Sequence, residues 1–134
     1  MSGPIIDHLA LSVTNFARAK AFYAAALAPL GIALTAEIPA SVTGDTDVAG
    51  FGRAGGWKAE LWIAPGKKTA PHLHIAFIAA SRADVDAFYK AALAAGGTGN
   101  GAPGLRPHYH EHYYGAFVLD PDGHNIEAVC HRAQ

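Results

Sequence analysis

The chain has one cysteine, few charged side chains (16 %) and no long hydrophobic run, and each scarcity excludes something. A lone Cys130 cannot close an internal disulfide, so the fold holds without covalent cross-links, as suits a reducing compartment. Although 51 % of the residues are hydrophobic, no apolar run approaches the roughly 20 residues that a membrane-crossing helix requires. Ten basic residues oppose eleven acidic ones, for a net charge of -1, and no Lys/Arg cluster is present that could track a phosphate backbone, which argues against a nucleic-acid partner. The opening Met1-Ser2-Gly3-Pro4 carries neither a basic patch nor a hydrophobic targeting segment, so a cytoplasmic protein is expected. The 134 residues suit one domain, over 1–134. What the chain does have is histidine, eight of them, and imidazole serves both as proton carrier and as the commonest transition-metal ligand.

An internal repeat organises those histidines. Displaced by 66 positions, His8-Leu9-Ala10-Leu11 falls on His74-Ile75-Ala76-Phe77, Ala21-Phe22-Tyr23 on Ala87-Phe88-Tyr89, and Leu27 on Leu93, without a gap. Each half reads as a strand opening at a histidine, then a helix. Period two puts Leu9, Leu11 and Val13 on one strand face and His8, Ala10 and Ser12 on the other; Ile75, Phe77 and Ala79 oppose His74, Ala76 and Ile78 in the same way. The first helix runs from an Asn15 cap to Pro29. The second starts at Ser81, with Asp84 three residues on, and stops at Gly96-Gly97. Short apolar pieces at 32–38, 48–53, 57–64, 114–119 and 124–130 read as strands, and Asp120-Pro121-Asp122-Gly123 turns the last two into a hairpin. The expectation is an α+β fold of two βαβββ modules, at about 5–65 and 72–131, with the glycine-rich stretch at 96–104 a flexible connector.

Ala59-Glu60-Leu61 and Ile126-Glu127-Ala128 close the two halves at an offset of 67, one more than the first strands, as a single extra loop residue explains. Alternation turns Glu60 away from Leu61 and Ile63, and Glu127 away from Ile126, Ala128 and Cys130. His8, Glu60, His74 and Glu127 therefore all fall on helix-free faces, where four ionisable groups desolvated together call for a neutralising cation. Two imidazoles and two carboxylates suit one divalent metal ion, Zn, Ni, Co, Mn or Fe(II). His72 shares the face of His74, and the repeat alone favours His74. Cys130 falls on the core face as a small buried thiol, and His124 and His131 flank the last strand as surface residues.

The His-Leu-Ala-Leu-Ser-Val opening, His-Ile-Ala-Phe opening the second half, and Asp120-Pro121-Asp122-Gly123-His124-Asn125-Ile126-Glu127 near the end resemble the glyoxalase/bleomycin resistance/extradiol dioxygenase (vicinal oxygen chelate) superfamily over essentially the whole chain. The resemblance implies sheets curled into a cleft around a metal, commonly in a homodimer, with Glu127 as the final ligand, His8 and His74 as the histidine ligands and Glu60 as the first module's carboxylate. It implies a small-molecule substrate chelated through vicinal oxygens and, because a fourth ligand is present, glyoxalase-like lyase or isomerase chemistry with Glu60 or Glu127 as the catalytic carboxylate. The alternatives are a metal-free drug- or toxin-binding protein of the bleomycin-resistance type and an Fe(II) extradiol dioxygenase, which needs two His and one carboxylate.

The stretch His108-Tyr109-His110-Glu111-His112-Tyr113-Tyr114 offers stacking area and proton donors, and His108, Tyr109, His110 and Tyr114, with Trp62, are the expected substrate contacts. The alternate spacing of 108, 110 and 112 also describes a polar exposed face or a second metal site. Arg18, Arg53 and Arg106 are the arginines that can meet an anion, and each also reads as an ordinary surface residue.

Overall fold

The computed structural model describes residues 3–133. The alternating segment that opens the chain is β1 (Leu9–Val13), and Asn15 caps the next helix, α1 (Phe16–Leu27), its side chain accepting from the Arg18 N–H at 3.1 Å. Pro29 stops α1 in a 3₁₀ turn, Ala28–Leu30, and Gly31 reverses the chain with φ 77°. There follow β2 (Ile32–Ile38), a single-turn α2 (Ala40–Thr43), β3 (Val48–Arg53) and β4 (Leu61–Pro65). The second module repeats the pattern with β5 (His74–Ile78), α3 (Arg82–Ala94), β6 (Thr98–Leu105), β7 (Tyr114–Leu119) and β8 (Asn125–Cys130). Ser81 caps α3, accepting from the Asp84 N–H at 3.1 Å.

Each module forms its own four-stranded sheet, ordered β1-β4-β3-β2 and β5-β8-β7-β6, with the first strand of each module parallel to its last. Helices α1 and α3 pack on each other as well as each on its own sheet. The helix layer therefore joins the modules, and one continuous core runs through both, from Leu11, Phe22, Phe51 and Ile63 to Val85, Phe88, Val118 and Ile126. The face of each sheet without helices is left outside.

Two expected elements change. The glycine-rich stretch is not a free connector: Thr98–Leu105 is the edge strand β6, paired to β7 with irregularities between Gly99 and Gly101 and between Gly101 and Gly104. Backbone pairing needs no side chain, and a Cβ at Gly99 would lie 2.6 Å from the Tyr89 hydroxyl, one at Gly101 2.9 Å from the Phe117 ring. The expected strand at 57–64 begins only at Leu61, because Trp57 is 85 % exposed and Lys58 turns to Asp7.

The Asp120-Pro121-Asp122-Gly123 turn also joins the modules. The buried Asp120 carboxylate accepts from the Tyr23 hydroxyl of α1 and from the backbone N–H groups of Asp122 (2.9 Å) and His124 (2.8 Å). Asp122 accepts from the Thr14 hydroxyl at 2.6 Å. His124, expected at the surface, is fully buried, and its Nδ1 accepts from the Leu73 N–H at 2.9 Å, tying the turn to the start of β5.

Candidate functional site

In the second sheet Ala76 of β5 lies opposite Glu127 of β8, so His74, two residues earlier, projects from the same helix-free face on the diagonal. Its Nε2 is 2.7 Å from Glu127 Oε1, which requires the imidazole to carry its proton on Nε2, since a carboxylate only accepts. Glu127 is 1 % exposed, and its Oε2 accepts from the Tyr113 hydroxyl. Both carboxylate oxygens are thus satisfied, as a buried charge demands. Phe117 stands directly opposite Glu127 across β7 and β8, its ring centroid 6.0 Å from that of His74. Gly115 keeps the approach open, for a Cβ there would lie 3.1 Å from Glu127 Oε2 and 3.2 Å from the Tyr113 ring.

The corresponding face of the first sheet is built differently. His8 Nδ1 is 2.7 Å from Asp7 Oδ2, and the Lys58 ammonium donates to Asp7 Oδ1 at 2.6 Å. Hydrogen bonding from Lys58, then from His8, holds the Asp7 carboxyl below the usual carboxylate range. Trp62 lies against Gly50, where a Cβ would meet its ring at 3.0 Å, and with His8, Ala10 and Val48 it lines a recess of about 260 Å³. Glu60 is exposed beside His8 and borders a second, largely apolar groove shared with Ile75 and Phe77.

Strand register revises the equivalence drawn from the sequence repeat. Leu61 pairs with Leu9 and Phe51, and Ile126 pairs with Ile75 and Val118. The counterpart of Glu127 is therefore Trp62, and that of Glu60 is Asn125. Nor do the four proposed ligands converge in one chain. His74 and Glu127 touch, while His8 and Glu60 belong to the other module, and among the described residues no group of three or more His, Cys, Asp or Glu is arranged to hold a metal ion. The donors of a single chain do not fit one cation. His72 is exposed and contributes nothing to the His74 contact.

Of the expected substrate contacts, Tyr114 is misplaced by strand parity. It pairs with the buried Cys130, faces α3, and donates to Asp86 at 2.7 Å beneath Arg82. Its neighbour Tyr113 occupies the cleft face instead, a position that counting by twos back from Phe117 would have found. Around Tyr113 the aromatic stretch forms a wall: His108 against Tyr109 (4.3 Å between centroids), Tyr109 edge-on to Tyr113 (4.8 Å), and His110 stacked on His131 (5.0 Å) with their nitrogens 2.8 Å apart.

Burial first and the bond to Glu127 second push the Tyr113 phenol well above its ordinary value of 10.0; burial and Asp120 do the same to Tyr23, and the bond to Asp86 raises Tyr114. A folded-state value above the unfolded one means that these phenols stabilise the fold fully below the unfolded value and cease to do so as pH rises through the folded one. Part of the phenolate absorbance of the folded protein is expected to appear only well above the pH at which the urea-unfolded chain titrates, and Tyr113→Phe should remove some of that late component. Coincident titration of folded and unfolded chains would refute the assignment.

Residues 5–128 match the family model described as Glyoxalase/Bleomycin resistance protein/Dioxygenase superfamily. Among solved structures, a glyoxalase/bleomycin resistance protein from Albidiferax ferrireducens T118 superposes with a TM-score of 0.75 at 26 % identity, covering 95 % of this chain and 99 % of that one. A glyoxalase/bleomycin resistance protein/dioxygenase family enzyme from Burkholderia phytofirmans PsJN gives 0.68 at 17 % identity over 94 % and 98 %. A glyoxalase I mutant from Zea mays gives 0.67 at 18 % identity over 96 % of this chain and 45 % of that one. No curated protein matches the sequence. With paired βαβββ modules, an Asp-Pro-Asp-Gly turn leading into the strand that carries Glu127, and a family model spanning nearly its whole length, the chain belongs to the Glyoxalase/Bleomycin resistance protein/Dioxygenase superfamily.

Proposed function

We propose that the chain binds a small oxygenated molecule on the helix-free face of its second sheet and moves a proton at the carbon next to a carbonyl, the step common to glyoxalase-like isomerases and lyases. The observation that carries this reading is a carboxylate buried to 1 % exposure yet held between an imidazole and a phenol on an open face. A buried carboxylate on an open face is suited to act as a general base once an oxygen is freed for the substrate. Tyr113 keeps its grip on Oε2, while His74, whose side chain is 51 % exposed, swings away from Oε1. Glu127 then takes the proton from carbon, and His74 offers its N–H to the oxygen on which charge develops. The experiment is a screen of α-hydroxycarbonyl compounds in heavy water, with nuclear magnetic resonance reporting deuterium at the carbon next to the carbonyl. Saturable binding without exchange across the series would point to the sequestering alternative and retire the enzyme.

A homodimer belongs to the same proposal. Strands β1 and β5 are sheet edges, and Ile5, Ile6, Leu9 and Ile78 are exposed beside them, an arrangement that isolated chains avoid. Light scattering is expected to give twice the chain mass, falling to the monomer in Leu9→Asp/Ile78→Asp; a wild-type monomer at high concentration would refute it. A second reading, with a divalent cation, is favoured by one observation: Asp7 holds His8 Nδ1, the way a metal-ligating histidine is usually steadied, and leaves Nε2 available. A second copy would have to bring His8 to His74 and Glu127, and with Trp62 in the place of a fourth ligand the set becomes two imidazoles and one carboxylate, which suits Fe(II). Metal analysis of the untagged dimer tests this. Metal that is lost in His8→Ala while the dimer persists supports it, and a metal-free dimer after reconstitution overturns it.

A further inference from the structure

We infer that Arg106 is a built anchor for a carboxylate on the substrate, which deepens the proton-transfer reading by specifying a carboxylate-bearing molecule. Its backbone N–H donates to the Tyr113 carbonyl at 2.7 Å, so it enters the cleft face next to the residue that holds Glu127. The guanidinium is not loose. It donates to the carbonyl oxygens of Gly104 and Ala102, both at 2.8 Å, and lies over the Phe117 ring with 5.4 Å from its central carbon to the centroid. Phe117 is in turn the residue directly opposite Glu127.

The glycines of β6 make room for this arrangement. A Cβ at Gly101 would lie 3.3 Å from one terminal guanidinium nitrogen and one at Gly104 3.2 Å from the other. The irregular pairing of β6 that exposes those carbonyls is thus spent on seating one side chain. Two carbonyls fix the plane of the fork without neutralising it, and its other N–H groups remain to be used. Among the described residues no carboxylate forms an ion pair with Arg106. A half-buried cation, oriented by backbone and an aromatic face, unpaired and on the same sheet face as an acid–base dyad, is suited to a planar anion received through paired hydrogen bonds. A substrate whose carboxylate sits here while its reacting carbon meets Glu127 carries charge at one end and a carbonyl at the other.

The test needs no turnover, so it separates this inference from the catalytic one. Benzoate is titrated into the isotopically labelled full chain, benzamide serves as the neutral isostere, and the backbone amide signals of Tyr113 and Phe117 are followed. Benzoate is expected to shift those signals and benzamide to leave them nearly unmoved. Arg106→Gln should weaken benzoate by about tenfold or more, and Arg106→Lys by less. Gly104→Ala keeps the positive charge but pushes into its seat, and it should weaken benzoate as well, which a general electrostatic attraction would not produce. Equal response to benzoate and benzamide, or unchanged benzoate affinity in Arg106→Gln, overturns the anchor even if Glu127 proves catalytic. Arg106-dependent binding of inorganic phosphate tighter than that of benzoate overturns the carboxylate assignment in favour of a phosphoryl group.

Discussion

Glu127→Gln is expected to slow proton exchange next to the carbonyl by about 10²–10⁴-fold, the range over which a positioned general base contributes. The amide keeps the size of the carboxyl and an oxygen that can accept from Tyr113, so the cleft should stay assembled; what is lost is the carboxylate assigned to take the proton from carbon. The substitution also removes a buried charge that His74 and Tyr113 now satisfy, so melting should change by no more than a few degrees in either direction. Glu127→Asp is the informative companion: the base is retained but withdrawn by one methylene, and a loss of catalytic rate with little change in substrate affinity would follow from misplacement alone. Exchange surviving at the wild-type rate in both variants would remove Glu127 from the chemistry and with it the proposed reaction. Tyr113→Phe should lose less, because Tyr113 holds the base and does not itself carry the transferred proton.

The largest effect on stability is expected at a residue that does no chemistry. Asp120→Ala leaves three donors without their acceptor: the Tyr23 hydroxyl and the N–H groups of Asp122 and His124. Tyr23, Asp120 and His124 are all buried, so water does not replace the carboxylate cheaply. A loss of about 3 kcal/mol is expected, which for a chain of this size corresponds to a drop of about 10 °C in melting temperature. Tyr23→Phe removes only the bond from α1 to Asp120 and should cost about 1–2 kcal/mol. Because the two residues share one bond, the double variant should cost less than the sum of the singles, and strict additivity would show that the bond between α1 and the turn contributes nothing. Loss of this tie should also expose the helix layer, since the turn and α1 are held together at the junction of the two modules.

Residue periodicity and punctuation carried much of this protein into view. Alternation at His8–Val13 and His74–Ala79 sorted core from open face, and the Asn15 and Ser81 caps marked both long helices. Parity also put His74 and Glu127 on one face, where they are found in contact. The same alternation, carried back from Phe117 through Gly115, points to Tyr113 rather than Tyr114. Glycine content misled at β6, because composition suggests freedom whereas those glycines answer to the Tyr89 hydroxyl, the Phe117 ring and the Arg106 guanidinium. His124 was unreadable for a related reason, since nothing local announces that its ring will be drawn inward to accept from Leu73.

By itself, then, the sequence determined the α+β class, the duplication and the shared face of His74 and Glu127, because all of these follow from short-range rules: the period of a strand, the cap of a helix, the chemistry of a turn. Which of those side chains meet was decided by the tertiary structure alone. Register between strands distant in the chain put Trp62, not Glu60, in the place equivalent to Glu127, and the pairing of each module's strands among themselves left His8 and His74 in separate modules. Hydrogen bonding between parallel strands is indifferent to a shift of two residues as far as faces are concerned, so periodicity could not choose the register; the fit of buried side chains across the helix layer did.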